Sequence, residues 1–319
     1  MPFARRWRPH DGPRHSARTN TYHLKRDIMN KTVGMIGVGL MGHGIASNIV
    51  KKGWTLHFLN HPGNQPTADL LAQGARAYDD PGTLARSSDI MLLCVTGSPQ
   101  VEEILNGAAG ILTELTPGKI VIDCSTAIPS STVKLAAAAE ARGVHFLDSA
   151  MTRTPKEAAE GRLNLLIGGD HALFEEIKPL LQTFAENLFY AGPVGSGHKL
   201  KLLHNYVSLG SIILLSEAAV CAKQGDIAMD VLIDLLRKGG GYGAALDRIS
   251  PFLLEGDDSK VRFSLRNALK DIRYYTTMAE GEGCPRATAL GVKATLEKLN
   301  EAGLGDAYLS TTPEQLGKL

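Results

Sequence analysis

The 319-residue chain contains only four cysteines, Cys94, Cys124, Cys221 and Cys284, far apart and in no CxxC or Cys/His spacing. That scarcity excludes a disulfide framework and gives no zinc pattern. It predicts buried free thiols, no metal and a reducing, cytoplasmic compartment. Charge of one sign is also lacking: 34 Lys and Arg against 33 Asp and Glu leave a net charge of +1. No long-range field therefore draws the chain to nucleic acid or to a membrane surface. No unbroken apolar run reaches the roughly 18 residues that span a bilayer, so neither a nucleic-acid nor a membrane partner is expected. Aromatics are few, at 6%, yet hydrophobic residues make up 44% of the chain, enough for a sizeable core or two domains.

Residues 1–28 differ from the rest: Arg5, Arg6, Arg8, Arg14, Arg18, Lys25 and Arg26 stand among Pro, Gly and His with no periodic apolar stripe. Such a segment is expected to be a disordered extension, with Met29 opening the first domain. It has no apolar stretch of the secretory kind.

Three elements then come in β, α, β order: "KTVGMIG" as strand, "VGLMGHGIASNIVKKG" as an amphipathic helix ending at Gly53, and "WTLHFL" as strand. Gly37, Gly39 and Gly42 form a GxGxxG at the first turn, with Leu40 and Met41 opening the helix beside them. In that context the glycines predict a dinucleotide pyrophosphate held at a helix N-terminus. At the end of the second strand an acidic residue would favour NAD by binding the ribose 2′-hydroxyl. Asn60 and His61 stand there instead, which leans the reading from NAD towards NADP.

Further strands are expected at 89–95, 119–125, 144–150 and 162–168, with helices such as "STVKLAAAAEARG" and "ALFEEIKPLLQTFAEN" between them. The alternation predicts an α/β fold with a doubly wound sheet. Loops after such strands face the ligand crevice, so Val95, Thr96, Ser98, Ser125 and Thr126 are candidate contacts. Ser98 and Thr126 have a plainer alternative as helix caps. From about residue 193 the strand pattern ceases, which sets the NAD(P)-binding domain at 29–192 and an all-helical domain at 193–319.

The first helix of that second part is apolar nearly all round, from Leu200 to Leu215, and is expected to be buried on most sides. Lys201, His204, Asn205 and Ser208 converge on one arc of it. A lysine stripped of water there can give or take a proton near neutral pH, and Asn205 can hold a substrate oxygen. The glycines of "RKGGGYGAALD" (237–247) would let backbone approach a ligand.

The segments "GMIGVGLMGHGIASNIVKKG", "DCSTAIPSST", "FLDSAMTRTPKEAAEGRLNLLIGG", "GPVGSGHKLKLLHNY" and "SLRNALKDI", in that order, resemble the β-hydroxyacid dehydrogenase family over residues 31–305. The resemblance implies a Rossmann-type domain joined to an all-helical one, in homodimers or homotetramers. It implies hydride transfer between a nicotinamide and a short anionic hydroxy acid or semialdehyde, with Lys201 as proton donor and Asn205 orienting the substrate. By the same likeness Ser125 and Thr126 flank substrate and nicotinamide, and Lys270 of the "KD" pair lies near cofactor or substrate. The related imine reductases carry Asp or Tyr at the lysine position, and relatives without the lysine have lost catalysis; Lys201 argues against both.

One segment departs from the family. Its pattern "DxPVSGG", where backbone cradles the substrate carboxylate, here reads "DSAMTRT", with Thr152, Arg153 and Thr154 in place of Ser–Gly–Gly. A guanidinium is a rigid fork suited to oxyanions. The change resembles members of the family that reduce 3-sulfolactaldehyde, which implies a second anionic group on the substrate, with His204 and Ser208 lining its site. The plainer alternative is a loop arginine paired with Glu157 or Glu160.

Overall fold

The computed structural model describes residue 28 and residues 30–319. The disordered extension expected over residues 1–28, and the start at Met29, otherwise lie outside the described residues. Ile28 itself departs from that expectation: it is 2% exposed and packs in the core with Val33, Ile49 and Trp54.

The chain first builds an eight-stranded sheet: β1 (Val33–Ile36), β2 (Leu56–Leu59), β3 (Arg76–Tyr78), β4 (Ile90–Leu93), β5 (Ile120–Asp123), β6 (His145–Thr152), β7 (Leu163–Gly168) and β8 (Ala185–Gly192). Their spatial order is β3-β2-β1-β4-β5-β6-β7-β8, parallel throughout except for the antiparallel β6–β7 pair. β1, β4 and β5 read VGMI, IMLL and IVID and are buried at every residue. Continuous apolar runs are what central parallel strands need, because helices cover both faces.

Seven helices cross between the strands: α1 (Leu40–Lys51), α2 (Ala68–Ala72), α3 (Pro81–Arg86), α4 (Ser98–Asn106), α5 (Pro129–Glu140), α6 (Pro155–Ala159) and α7 (His171–Leu181). They create separate cores on the two faces, one around Met35, Ile45, Phe58 and Phe184, the other around Ile36, Met91, Leu93 and Val121. The strand order reverses at β1, between β2 and β4. The crevice beyond the carboxyl ends of those strands is where such sheets hold ligands.

Two strands depart from the sequence reading. β3 is an edge strand of only three residues, two of them exposed, and so has no apolar pattern. Residues 185–187, expected in a helix, begin β8 instead. The helical periodicity runs through Leu180, Leu181 and Phe184, but α7 stops at Leu181, and from Ala185 onward pairing with β7 holds the chain extended. Tertiary pairing outweighs local propensity there.

The remainder is helical: α8 (Ser196–Gln224), α9 (Met229–Lys238), α10 (Ala244–Glu255), α11 (Leu265–Gly281), α12 (Ala287–Leu299) and α13 (Thr312–Leu316). Their core joins Ile212 and Ile213 of α8 to Ile249, Leu265, Ile272 and Leu296. α8 is less enclosed than its composition predicts: Leu203, Val207 and Leu214 are 43%, 65% and 55% exposed. By length and averaged apolar composition this helix is long enough to cross a membrane, though polar residues interrupt its runs and much of it is buried in the fold. Two cysteines also differ from expectation, since Cys221 and Cys284 are exposed.

Candidate active site

The glycine turn divides into two packing residues and one open one. Gly37 holds φ +99°, and a Cβ there would lie 2.2 Å from the Cys94 carbonyl oxygen. A Cβ on Gly42 would lie 2.0 Å from the Gly37 oxygen. These two permit the turn itself. Among the described residues, a Cβ on Gly39 would meet only the Gly63 oxygen, at 3.9 Å. Gly39 is also the N-cap of α1 and offers no side chain to the first-turn amides. An open approach over unanswered amides fits a dinucleotide pyrophosphate. Leu40 stands exposed at the lip, while Met41 packs against the core beneath it.

The segment after β2 folds back over this turn. Asn64 Oδ1 accepts from the Val38 amide at 3.2 Å, and the Gln65 amide donates to the Val38 carbonyl at 2.8 Å. Asn60 is exposed and its amide donates to Asp79 Oδ1 at 3.1 Å, while His61 Nδ1 accepts from the Gly63 amide at 2.9 Å. A carboxylate thus stands beside the position where the sequence shows none. It comes from the end of β3, the strand whose pattern was too weak to read.

The facing wall is built from the ends of β4 and β5. Ser125 Oγ accepts from the Val95 amide at 3.0 Å, and the Ser125 amide donates to Asp123 Oδ1 at 2.9 Å. Ser98 is 4% exposed and its Oγ accepts from the Ile128 amide at 2.8 Å. It is therefore not the cap of α4, which is Gly97, and the cap of α5 is Ile128 rather than Thr126. The helical part closes over this wall: Lys270 Nζ donates to the Thr96 carbonyl and lies 5.4 Å from the Tyr274 ring centre. A Cβ on Gly97 would lie 2.6 Å from the Tyr274 hydroxyl, so glycine is what allows that contact.

Lys201 and Asn205 stand one helical turn apart on α8. Asn205 is 6% exposed; its Nδ2 donates to Asp271 Oδ2 at 2.6 Å, and its Oδ1 lies 2.9 Å from His204 Nδ1. Asp271 is buried, with Oδ1 3.2 Å from Lys270 Nζ. Burial lowers Lys201 to about 8, against the opposing pull of Asp271 and with the aid of Lys270. Burial is also the main cause that lowers His204, with Lys201 and Arg248 acting the same way against the Asn205 hydrogen bond. His204 is nonetheless exposed and Ser208 is half-buried, so the polar arc runs from the buried interior to the open edge of the helix.

Asp148 sets where that helix begins. Fully buried in β6, it accepts from the Gly195 amide at 2.6 Å and the His198 amide at 2.8 Å. A Cβ on Gly197 would lie 2.2 Å from the Leu166 oxygen, so only glycine lets the helix end sit directly on β7.

The three departing residues face elsewhere. Thr152 Oγ1 accepts from Asn164 Nδ2 at 3.0 Å. Thr154 is the N-cap of α6, its amide 3.0 Å and its Oγ1 2.5 Å from Glu157 Oε2. Arg153 donates to the Arg162 carbonyl and pairs with Glu186 of β8, rather than with Glu157 or Glu160. Its φ is +82°, a left-handed conformation at the position where the family pattern has glycine. Among the described residues, no hydrogen bond of these three reaches α8. The fold thus brings Lys201, Asn205 and Lys270 together with the loop carrying Val95 and Thr96, which Ser125 braces. Sequence reasoning missed Asp271, Tyr274, Asp123 and His198. Asp271 was signalled only by its place after Lys270, and the others by nothing local.

A model of the NAD binding domain of 6-phosphogluconate dehydrogenase matches residues 32–192. A second, described as NAD-binding of NADP-dependent 3-hydroxyisobutyrate dehydrogenase, matches residues 195–312. The NAD-dependent L-serine dehydrogenase of Pseudomonas aeruginosa is 31% identical over 223 residues, covering 70% of this chain and 74% of that protein. The 2-(hydroxymethyl)glutarate dehydrogenase of Eubacterium barkeri is 29% identical over 226 residues, covering 70% and 75%. The crystal structure of 3-hydroxyisobutyrate dehydrogenase from Salmonella typhimurium shares the fold with a TM-score of 0.77 at 25% identity, over 89% of this chain and 99% of that one.

Proposed function

The chain belongs to the β-hydroxyacid dehydrogenase family, and from that premise we propose that it interconverts a short β-hydroxy acid and its semialdehyde, with Lys201 as the proton-transferring group. A nicotinamide dinucleotide, when bound, supplies or accepts the hydride. The open turn at Gly39 and the first amides of α1 would hold its pyrophosphate, with Leu40 at the lip. Val95, Thr96, Ser125, Thr126 and Lys270 would line its nicotinamide end.

Lys201 carries the reading. A lysine lowered by burial to about 8 holds a proton loosely enough to deliver it to a carbonyl oxygen that becomes an alkoxide. In the oxidising direction neutral Lys201 takes the proton back. Asn205, held by Asp271, is oriented to hold the same oxygen or its neighbour.

For the cofactor, the neutral Asn60 leans the sequence to NADP, but Asp79 beside it supports NAD. A carboxylate accepts from a ribose 2′-hydroxyl and repels a 2′-phosphate. We therefore expect NADH to be preferred.

For the substrate, a single carboxylate is the better-supported anion. A sulfonate in place of that carboxylate, as in 3-sulfolactaldehyde, would require Arg153 to leave Glu186 and join His204 and Ser208. Its place in the glycine position of the family pattern is what keeps that reading in view.

The test is the initial rate of NADH and NADPH oxidation by purified protein with methylmalonate, tartronate and succinic semialdehydes and 3-sulfolactaldehyde. Preference for a monocarboxylate semialdehyde with NADH is the expected outcome. A preference for the sulfonate would make Arg153 an anion clamp, and no turnover with any would overturn the assignment of substrate class.

A further inference from the structure

One buried pair lies between the two halves of the site and belongs to neither. His198 is 0% exposed and Asp123 is 1% exposed, with His198 Nε2 3.8 Å from Asp123 Oδ2. Both atoms are enclosed, and neither has a hydrogen-bond partner among the described residues. Leaving two polar atoms unpaired so close together is unfavourable, and a movement of less than about 1 Å would join them at ordinary hydrogen-bond length.

Several polar groups around the pair are already committed. His198 Nδ1 lies 2.7 Å from Thr132 Oγ1, and the His198 amide donates to Asp148. Asp148 Oδ2 is 4.0 Å from Nδ1 but takes the backbone amides of the helix end. Asp123 gives its other oxygen to the Ser125 amide, and Ser125 Oγ holds the Val95 amide. A contact between Nε2 and Oδ2 would complete an unbroken path from Val95 through Ser125 and Asp123 to the first turn of α8. Lys201 comes three residues after His198, on the same side of that helix.

We propose that His198 is a positioning residue: in the loaded enzyme its Nε2–H donates to Asp123 Oδ2, and this bond fixes Lys201 relative to the loops at Val95 and Ser125. Thr132 Oγ1 lies 2.7 Å from Nδ1 and 3.3 Å from the Ile128 carbonyl; with its hydroxyl proton given to the nearer Nδ1, the ring proton is left on Nε2. The assignment of those loops to the cofactor rests on the function proposed above.

Two substitutions separate the ring nitrogens. In H198N the amide oxygen takes the place of Nδ1, keeping Thr132 and losing Asp123; in H198Q the longer amide reaches the place of Nε2. H198N is expected to lower kcat by about 100-fold, the scale of a 1 Å misplacement, with KM and cofactor Kd nearly unchanged. H198Q is expected to recover most of that loss. Equal kcat in both variants, whether high or low, would overturn the proposal.

A second measurement uses the unaltered protein and needs no substrate. The slowly exchanging imidazole N–H of His198 is followed by ¹⁵N NMR while NADH is added, with NADPH as a second titrant. A downfield proton shift on saturation is expected as the bond to Asp123 forms. An unmoved resonance with bound dinucleotide would overturn the proposal, whereas failure to bind either dinucleotide would overturn the cofactor reading on which it rests.

Discussion

At the scale of the single residue, the proton-transferring role proposed for Lys201 opposes stability. Its folded value near 8 lies below the ordinary 10.5, so between those values the unfolded chain binds more protons and stability rises with pH. Below about pH 8 the charged lysine is carried at a cost. K201M is therefore expected to lower kcat by about 10²–10⁴-fold while leaving Tm at pH 7 unchanged or raised, as scanning calorimetry would read. In the unaltered enzyme the reduction rate should fall, and the oxidation rate rise, as pH passes through about 8; profiles without that crossing would remove Lys201 from the proton step. Arg153 presents a similar balance. Left-handed backbone costs a non-glycine residue about 1–2 kcal/mol, and its partly exposed pair with Glu186, screened by solvent, returns at most about 1 kcal/mol. R153G should consequently leave Tm unchanged or raise it by a few °C. If it raises KM for 3-sulfolactaldehyde while sparing monocarboxylates, the guanidinium reaches the substrate; unchanged values for both make it a residue of the loop.

At the scale of the element, the three glycines of one turn should behave differently although their spacing makes them equivalent. G42A drives a Cβ into the Gly37 carbonyl and should destabilise the protein in urea. G39A meets almost nothing in the protein, so it should fold normally and lose dinucleotide affinity by tenfold or more in a fluorescence titration. Equal behaviour of the two would contradict the open approach at Gly39. The sequence made this turn legible because a strand, three glycines and a helix are local features. Lys201 and Asn205 were legible for the same reason, as neighbours on one helix face. Asp79, Asp123, Asp271 and His198 were not, because each gains its meaning from a partner on another element. Arg153 was legible as a departure but not in its direction, since Glu186 lies 33 residues away on a strand whose start reads as helix. Asp148 is intermediate: the family pattern retains it, and the fold explains why, through the two amides it holds at the start of α8.

At the scale of the whole molecule, several large apolar side chains remain uncovered. Leu203, Val207 and Leu214 of α8 are exposed, as are Ile227, Val231 and Leu235 at and within α9. Apolar exposure of this kind marks a partner surface, and the expectation of a homodimer or homotetramer supplies a second copy as that partner. V207E combined with L235E should reduce the sedimentation coefficient to that of a monomer without unfolding the chain; an unaltered coefficient would place the contact elsewhere. The same long helix also has a mechanical consequence. It is gripped at one end, where Asp148 and β7 hold Gly195 to His198, and along the next roughly 40 Å it packs against α10, α11, α12 and α13. Lys201 sits only about 6 Å from the fulcrum. A rocking of the helix by about 5° would sweep its far end through some 3–4 Å and shift the proton donor by only about 0.5 Å. A movement of the helical part about that grip would thus carry its far end while leaving the acid proposed above almost stationary, like the hand nearest the hinge of an opening door.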